Sequence, residues 1–215
     1  MRCTGTFRYA RTFPRPGTYL QGRYPYGCTD SGAYGKYRAA ADAPLDSGEY
    51  CTANVTWLIF AAKSAAHSAN KDIVFSVSPA ADISKNLNEA HADVRGWCER
   101  GLVDWIIPQL YFGFDYPDEK FRFNNLLSEW KEATGGKVTL ITGLAAYKLG
   151  TADPPDAKEW QNGTDILKRQ TEICLSDSAV SGVCYFSYTY LFAADDLHRA
   201  SLAGIKEVLN ASKNR

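Results

Sequence analysis

The sequence predicts an α/β fold made of repeated strand–helix units, a (β/α) barrel or half of one. Apolar, strand-like segments start near positions 73, 104, 138 and 182, and each interval of 31, 34 or 44 residues holds a helical pattern. That rhythm defines βαβ units and a parallel sheet. No Gly-rich phosphate loop follows any of the strands, which disfavours a nucleotide-binding open sheet. The 215 residues suffice for one good-sized domain, whereas eight complete units take about 250.

Residues 1–52 read as an irregular extension ahead of a domain over 53–215. From Met1 to Tyr50 there is no Ile or Val, and Leu occurs only at Leu20 and Leu45. Seven Tyr, six Arg, seven Gly and four Pro stand there instead. Without aliphatic side chains such a stretch buries too little surface to offset its ordering entropy. Two readings stay open: a flexible extension or, over the first thirty or so residues, a misread start that is not native sequence. From Tyr34 the chain reads as a loop and a frayed helix leading into the domain.

Asn54 can cap a helix whose Val55, Leu58, Ile59, Ala62 and Ala66 follow helical spacing, ending near Ser68–Asn70. Ile73–Ser78 reads as a strand stopped by Pro79. Glu89–Arg100 reads as one helix with Val94, Trp97 and Cys98 inward and Gly101 at its C-cap. Asp104–Tyr111 is the central strand, and its Trp105, Ile106 and Ile107 suit burial on both faces. A helix through Phe123, Leu126, Leu127 and Trp130 follows, ended by Gly135 and Gly136. Val138–Leu144 is the next strand. A long loop, Tyr147–Gly163, leads to Thr164 as N-cap of a helix carrying Ile166, Leu167, Ile173 and Cys174. Gly182–Ser187 is the last strand, and a helix with Leu197, Ile205, Val208 and Leu209 on one side closes the chain.

The composition excludes several function classes. The 24 basic and 24 acidic side chains cancel, so charge implies neither a nucleic acid nor a membrane surface as partner. The longest apolar run, Trp57–Ala62, is far too short to span a bilayer. The first ten residues lack the apolar segment of a signal peptide. Cys3, Cys28, Cys51, Cys98, Cys174 and Cys184 are scattered, without C-x-x-C pairs or His at ligand spacing, so they read as ordinary thiols and no metal is expected. No cofactor is expected either.

In a (β/α) barrel the chemistry sits where strands end. Those ends carry Ser78 and Asp82, Gln109 and Tyr111, Tyr147 and Lys148, and Ser187 with its aromatic neighbours. Aromatic faces stack on the C–H side of sugar rings, while amides and hydroxyls bond to sugar hydroxyls, so a carbohydrate cleft needs such a mixture. Against this, any single Tyr there can serve simply as a cap on the core, and Lys148 as a solvated loop residue. Glycoside cleavage usually takes two carboxylates. Asp115, as catalytic candidate, and Asp82 are the acids nearest the strand ends, each with a plain loop or helix-cap role as its rival. Asp104 precedes its strand and is discounted. Asp153 and Asp156 fit the rim or a turn. His67, His91 and His198 fall on helices away from strand ends.

VFSVSPAAD, VDWIIPQLYFGFDYP, LITGLAAYKLG with downstream Trp160, and GVCYFSYTYLF together resemble the glycosyl-hydrolase-like family 10 of bacterial envelope and secreted proteins. The resemblance covers about Ala53–Phe192 and rests on four motifs in order. It implies a TIM-type (β/α)8 barrel, of which this chain holds strands five to eight, and glycoside hydrolysis, peptidoglycan glycan strands being one implied substrate. It carries over Ser78, Gln109, Tyr111, Tyr147, Lys148 and Ser187 as cleft-lining positions. Family members bear, just upstream, a strand ending like G-I-H-F-D-D-Y-F-Y-P, whose aspartates are the obvious catalytic pair. Residues 1–52 hold at most a remnant, Arg23-Tyr24-Pro25-Tyr26, so that pair maps onto no residue here.

The expected function is therefore that of a truncated glycoside hydrolase-like protein acting on a bacterial or dietary glycan, secreted or in the cell envelope in its parent form and inactive as this fragment alone. The alternative is a catalytically silent carbohydrate-binding or interaction module. Expected partners are an oligo- or polysaccharide and either the missing half-barrel or a second copy of the chain.

Overall fold

The computed structural model describes residues 31–152, 155, 157–162, 165–193 and 195–212. The expectations for residues 1–30 and for Asp153, Asp156 and Thr164 lie outside the described residues. The chain divides into two compact units, Met1–Asn54 and Val55–Arg215.

In the first unit, α1 spans Ser31–Ala40, and α2 (Ser47–Ala69) begins here and ends in the second unit. The segment from Tyr34, expected as loop and frayed helix, is thus a regular helix in α1. Rings take the place of aliphatic groups: Tyr37 lies 4.7 Å from Tyr50 and Tyr34 lies 5.4 Å from Tyr50, centroid to centroid. The turn between the helices is tied by the Tyr34 hydroxyl donating to the Leu45 carbonyl and the Leu45 N–H donating to the Tyr37 hydroxyl, both at 3.0 Å. The start of α2 is also corrected, from Asn54 to Ser47. Asp46 accepts from the Glu49 N–H at 2.8 Å, and the Glu49 carboxylate accepts from the Asp46 N–H at 3.1 Å. This is a reciprocal capping box, and it starts the helix two turns earlier than Asn54 would.

The second unit holds a parallel sheet of β1 (Ser76–Val77), β2 (Trp105–Ile106), β3 (Thr139–Leu144) and β4 (Gly182–Tyr185), in that spatial order. Ser76, Trp105 and Thr139 stand in one row, and Val77, Ile106 and Leu140 in the next. Strands that follow one another in chain order through right-handed crossovers put their helices on one face. A doubly wound sheet instead reverses strand order partway. The order seen here is compatible with part of a TIM-type fold.

β1 and β2 are shorter than expected. The Gln109 N–H still donates to the Pro79 carbonyl at 3.0 Å and the Gly143 N–H to the Pro108 carbonyl at 2.9 Å. Pro79 and Pro108 themselves have no N–H to give, so the regular ladder stops there. Side chains alternate across the sheet. Ile106, Leu110, Leu140 and Leu144 point to the helices and are at most 1% exposed. Each aliphatic group buried in this way contributes about 1.5–3 kcal/mol. Trp105 lies on the other face and is 40% exposed, so β2 is buried on one face, not two.

Two helices replace the expected Glu89–Arg100 helix: α3 (Ile83–Ala90) and α4 (Val94–Glu99). His91 adopts a left-handed φ of 52° and stops α3, and the Asp93 carboxylate restarts the chain by accepting from the Gly96 N–H at 2.9 Å. α5 (Phe123–Thr134) ends at Gly135 with φ 52°. Its Trp130 is fully buried and donates to the Ala81 carbonyl at 2.8 Å. The Tyr147–Gly163 stretch is not all loop: a 3-10 turn covers Ala146–Lys148 and α6 covers Ala157–Asn162. α7 (Ile166–Ser176) starts after Asp165, α8 (Tyr188–Leu191) follows β4 at once, and α9 (Asp196–Ser212) packs Ile205 into the core. Among the described residues, no helix is long and apolar enough to cross a membrane. Cys51, Cys98 and Cys174 are buried, Cys184 is exposed, and none of the four forms a disulfide.

Candidate functional site

The C-terminal ends of the strands bring most of the sequence-derived candidates together. Gln109 pairs in parallel fashion with Ala80 on one side and Gly143 on the other. Its side-chain amide donates to the Ser78 carbonyl at 3.1 Å and reaches the Ser78 hydroxyl at 3.4 Å. Two residues on, the Tyr111 ring meets Tyr147 edge-on at 5.8 Å and stacks on Phe186 at 6.1 Å. Tyr147 and Phe186 lie 6.1 Å apart, and Tyr147 and Tyr190 lie 6.2 Å apart. Three strand ends thus supply one cluster of rings. The Tyr147 N–H, donating to the Phe186 carbonyl at 3.2 Å, pins two of them together.

Tyr111 is half-buried, but Phe186 is 56% and Tyr190 45% exposed. The cluster therefore presents aromatic surface to solvent. Burial, with Cys184 and Tyr147 nearby, pushes the Tyr111 phenol above its ordinary value, so its hydroxyl keeps its proton at neutral pH. Ser187 is half-buried and sits just before α8. The sequence reading names Ser187 as the site residue at this end and takes Phe186 and Tyr190 only as its aromatic neighbours. The density of aromatic residues from Tyr185 to Phe192 was the available signal for them.

Lys148 lies at the other side of Tyr147. Its ammonium stands 5.7 Å from the Phe112 ring centre and 5.5 Å from that of Trp160, both cation–π distances. Trp160 is buried on α6, beside Glu159. The Glu159 carboxylate accepts from the N–H groups of Phe114 and Asp115, each at 2.9 Å. Asp115 itself is exposed.

Asp82 is occupied structurally. It is the N-cap of α3, accepting from the Ser84 and Lys85 N–H groups, and it pairs with Lys120 at 2.8 Å. Burial works to raise its pKa, yet bonds from Lys120, Ser84 and the Lys85 N–H hold it down to about 2. Asp104 lies at the opposite end of β2. Lys63 bridges it at 2.7 Å, His67 at 3.0 Å, and the Phe75 N–H donates to it at 2.8 Å. His91 is the C-cap of α3, and His198 on α9 pairs with Asp195 just before that helix. Among the described residues, no three His, Cys, Asp or Glu side chains are grouped so as to hold a metal ion.

Comparison with known proteins gives a consistent answer. The profile of the family Glycosyl hydrolase-like 10 matches residues 18–162, which includes part of the Arg- and Tyr-rich stretch. A protein named glycosyl hydrolase DigH from Escherichia coli O6:H1 is 28% identical over 180 residues, 75% of this chain and 39% of that protein. Its counterpart of the same name in Escherichia coli K12 is 32% identical over 107 residues, 48% of this chain and 24% of that protein. Glycosyl hydrolase YngK from Bacillus subtilis is 28% identical over 212 residues, 87% of this chain and 38% of that protein. The chain spans at most 39% of the length of these relatives.

Proposed function

This chain belongs to the Glycosyl hydrolase-like 10 family, and from that premise we propose that it is a glycoside hydrolase-like protein acting on a bacterial or dietary glycan, peptidoglycan strands among them. The observation that carries the reading is the ring cluster of Tyr111, Tyr147, Phe186 and Tyr190 at three strand ends. Sugar rings stack on such faces. Gln109, Ser78, Lys148 and Ser187 stand on the same strand ends and supply donors and acceptors for hydroxyls. In this reading the four strands are the last four of an eight-stranded barrel, residues 53–215, and the protein works at the envelope or outside the cell. The Trp105 face of the sheet, exposed among the described residues, then packs against the other half-barrel or a second copy.

A second reading, a silent carbohydrate-binding module, draws support from the acids. Among the described acids near the strand ends, Asp82 caps a helix, Glu159 is held by two amides, and Asp115 is exposed. Among the described residues this leaves Asp115 alone at the strand ends for a reaction that usually takes a carboxylate pair. Calorimetric titration with a soluble β-1,4-linked N-acetylglucosamine hexamer tests both readings. Binding with release of reducing ends supports a hydrolase, binding without release supports the module, and no binding overturns both.

A further inference from the structure

We infer that Glu159 is the positioning residue of the candidate site, latching the loop after β2 so that Tyr111 and Asp115 keep their places at the cleft; this rests on the cleft reading above. Glu159 Oε1 accepts from the Phe114 N–H and Oε2 from the Asp115 N–H, each at 2.9 Å, across more than forty residues of chain. Two successive N–H groups form a concavity suited to an anion, and here the anion is a side chain of the protein. Gly113 makes room for it: a Cβ there would lie 1.9 Å from Glu159 Oε2. The same loop is gripped again by α7. The fully buried Gln170 donates to the Phe112 carbonyl at 2.9 Å, and the Arg169 guanidinium lies 4.3 Å over the Phe114 ring. Buried Trp160 anchors the helix that carries Glu159. The loop that follows Tyr111 is therefore held by α6 and α7 as well as by the start of α5, where the Phe123 N–H donates to the Gly113 carbonyl at 3.0 Å.

Three variants of the full chain test this: Glu159→Ala removes both acceptors, Glu159→Gln keeps one, and Gly113→Ala displaces an intact carboxylate. Hydrogen exchange at the Phe114 and Asp115 amides is read beside the melting curve and titration with the N-acetylglucosamine hexamer. Loss of a charge-assisted pair of bonds speeds exchange of both amides by about tenfold or more in Glu159→Ala, less in Glu159→Gln. The latch also predicts a modestly lowered melt and, in the folded protein, weaker hexamer affinity in Glu159→Ala and Gly113→Ala. Unchanged exchange, or faster exchange with unchanged affinity, overturns the inference. Should the unaltered chain fail to bind the hexamer, the glycan reading falls by itself. The latch is then decided by the Tyr111 ring resonances, which shift in Glu159→Ala if it positions the cleft and stay put if it does not. Should Glu159→Ala not fold, the other two variants decide by the same measures.

Discussion

Gly143 on β3 and Pro108 at the end of β2 approach so closely that a Cβ on Gly143 would fall 2.7 Å from the Pro108 carbonyl oxygen. The two backbones exchange bonds here: the Gly143 N–H donates to Pro108 at 2.9 Å, and the Gly143 carbonyl accepts from the Leu110 N–H at 3.0 Å. This contact lies directly under Gln109 and Tyr111. Gly143→Ala forces the strands apart and is expected to cost about 1–3 kcal/mol, the usual range for overpacking. Urea unfolding measures it, and an unaltered midpoint would show that the strands yield without penalty.

What the sequence discloses depends on how local the deciding contact is. β3 is legible because Val138–Leu144 is one β-branched run ended by its own residues, and the structure gives Thr139–Leu144. The break between α3 and α4 is not legible from apolar spacing, since it turns on the left-handed φ of His91 and on the Asp93 cap. The α2 start was available in Asp46 and Glu49, three apart. Gln109 and Tyr111 stand out in the sequence because they close the apolar run of the central strand. Glu159 does not, because a carboxylate bound by amides 44 and 45 residues away leaves no periodic trace.

Acid weakens the fold through Asp82. Its folded pKa is held at about 2, below the ordinary 3.8. A depressed carboxylate contributes stability that is present above the unfolded value and is lost as pH falls through the folded one. Asp104 and Asp177 are lowered in the same direction. The melting temperature is therefore expected to hold from neutral pH to just above 3.8 and to drop between there and about 2. Asp82→Asn melts lower at neutral pH, and its gap from the unaltered chain closes as pH approaches 2. A gap that stays constant with pH contradicts the assignment.

Asp104 separates stability from binding. Removing it leaves the Phe75 N–H without its acceptor and takes an ion-pair partner from His67 and from Lys63, whose ammonium keeps its bond to the Gly101 carbonyl. Asp104→Ala is expected to cost about 1–3 kcal/mol, as for loss of a partner to charged and backbone donors. Affinity of the folded protein for the N-acetylglucosamine hexamer stays the same, because Asp104 sits at the far end of β2 from Tyr111. A matching loss of affinity in the folded fraction would place Asp104 in the site after all.

Among the described residues, β1 and β4 each have one side without a partner strand, and unpaired strand edges invite association. Trp105, Val74 and Phe186 add exposed apolar surface. Sedimentation of the isolated chain is expected to show mass rising with concentration. A single monomeric species across the range, with a cooperative melt, argues that the edges are protected.

Tyr111 decides between a cleft and a core cap. It lies two residues after Gln109, with Tyr147 at its edge and Phe186 against its face. A core cap owes its place to burial, and truncating a large aromatic in a core costs about 3–5 kcal/mol. Tyr111 is only half-buried, so Tyr111→Ala is expected to lower stability by less than that range. Loss of one well-seated aromatic contact weakens binding by about tenfold or more, and that is the fall expected in hexamer affinity. Tyr111→Phe removes only the hydroxyl and keeps the stacking face, so its affinity falls less. If Tyr111→Ala melts far below the unaltered chain yet binds the hexamer with full affinity at low temperature, the ring belongs to the core and the cleft lies elsewhere. If affinity collapses while the melt holds, the rings of Tyr147, Phe186 and Tyr190 are the next to replace.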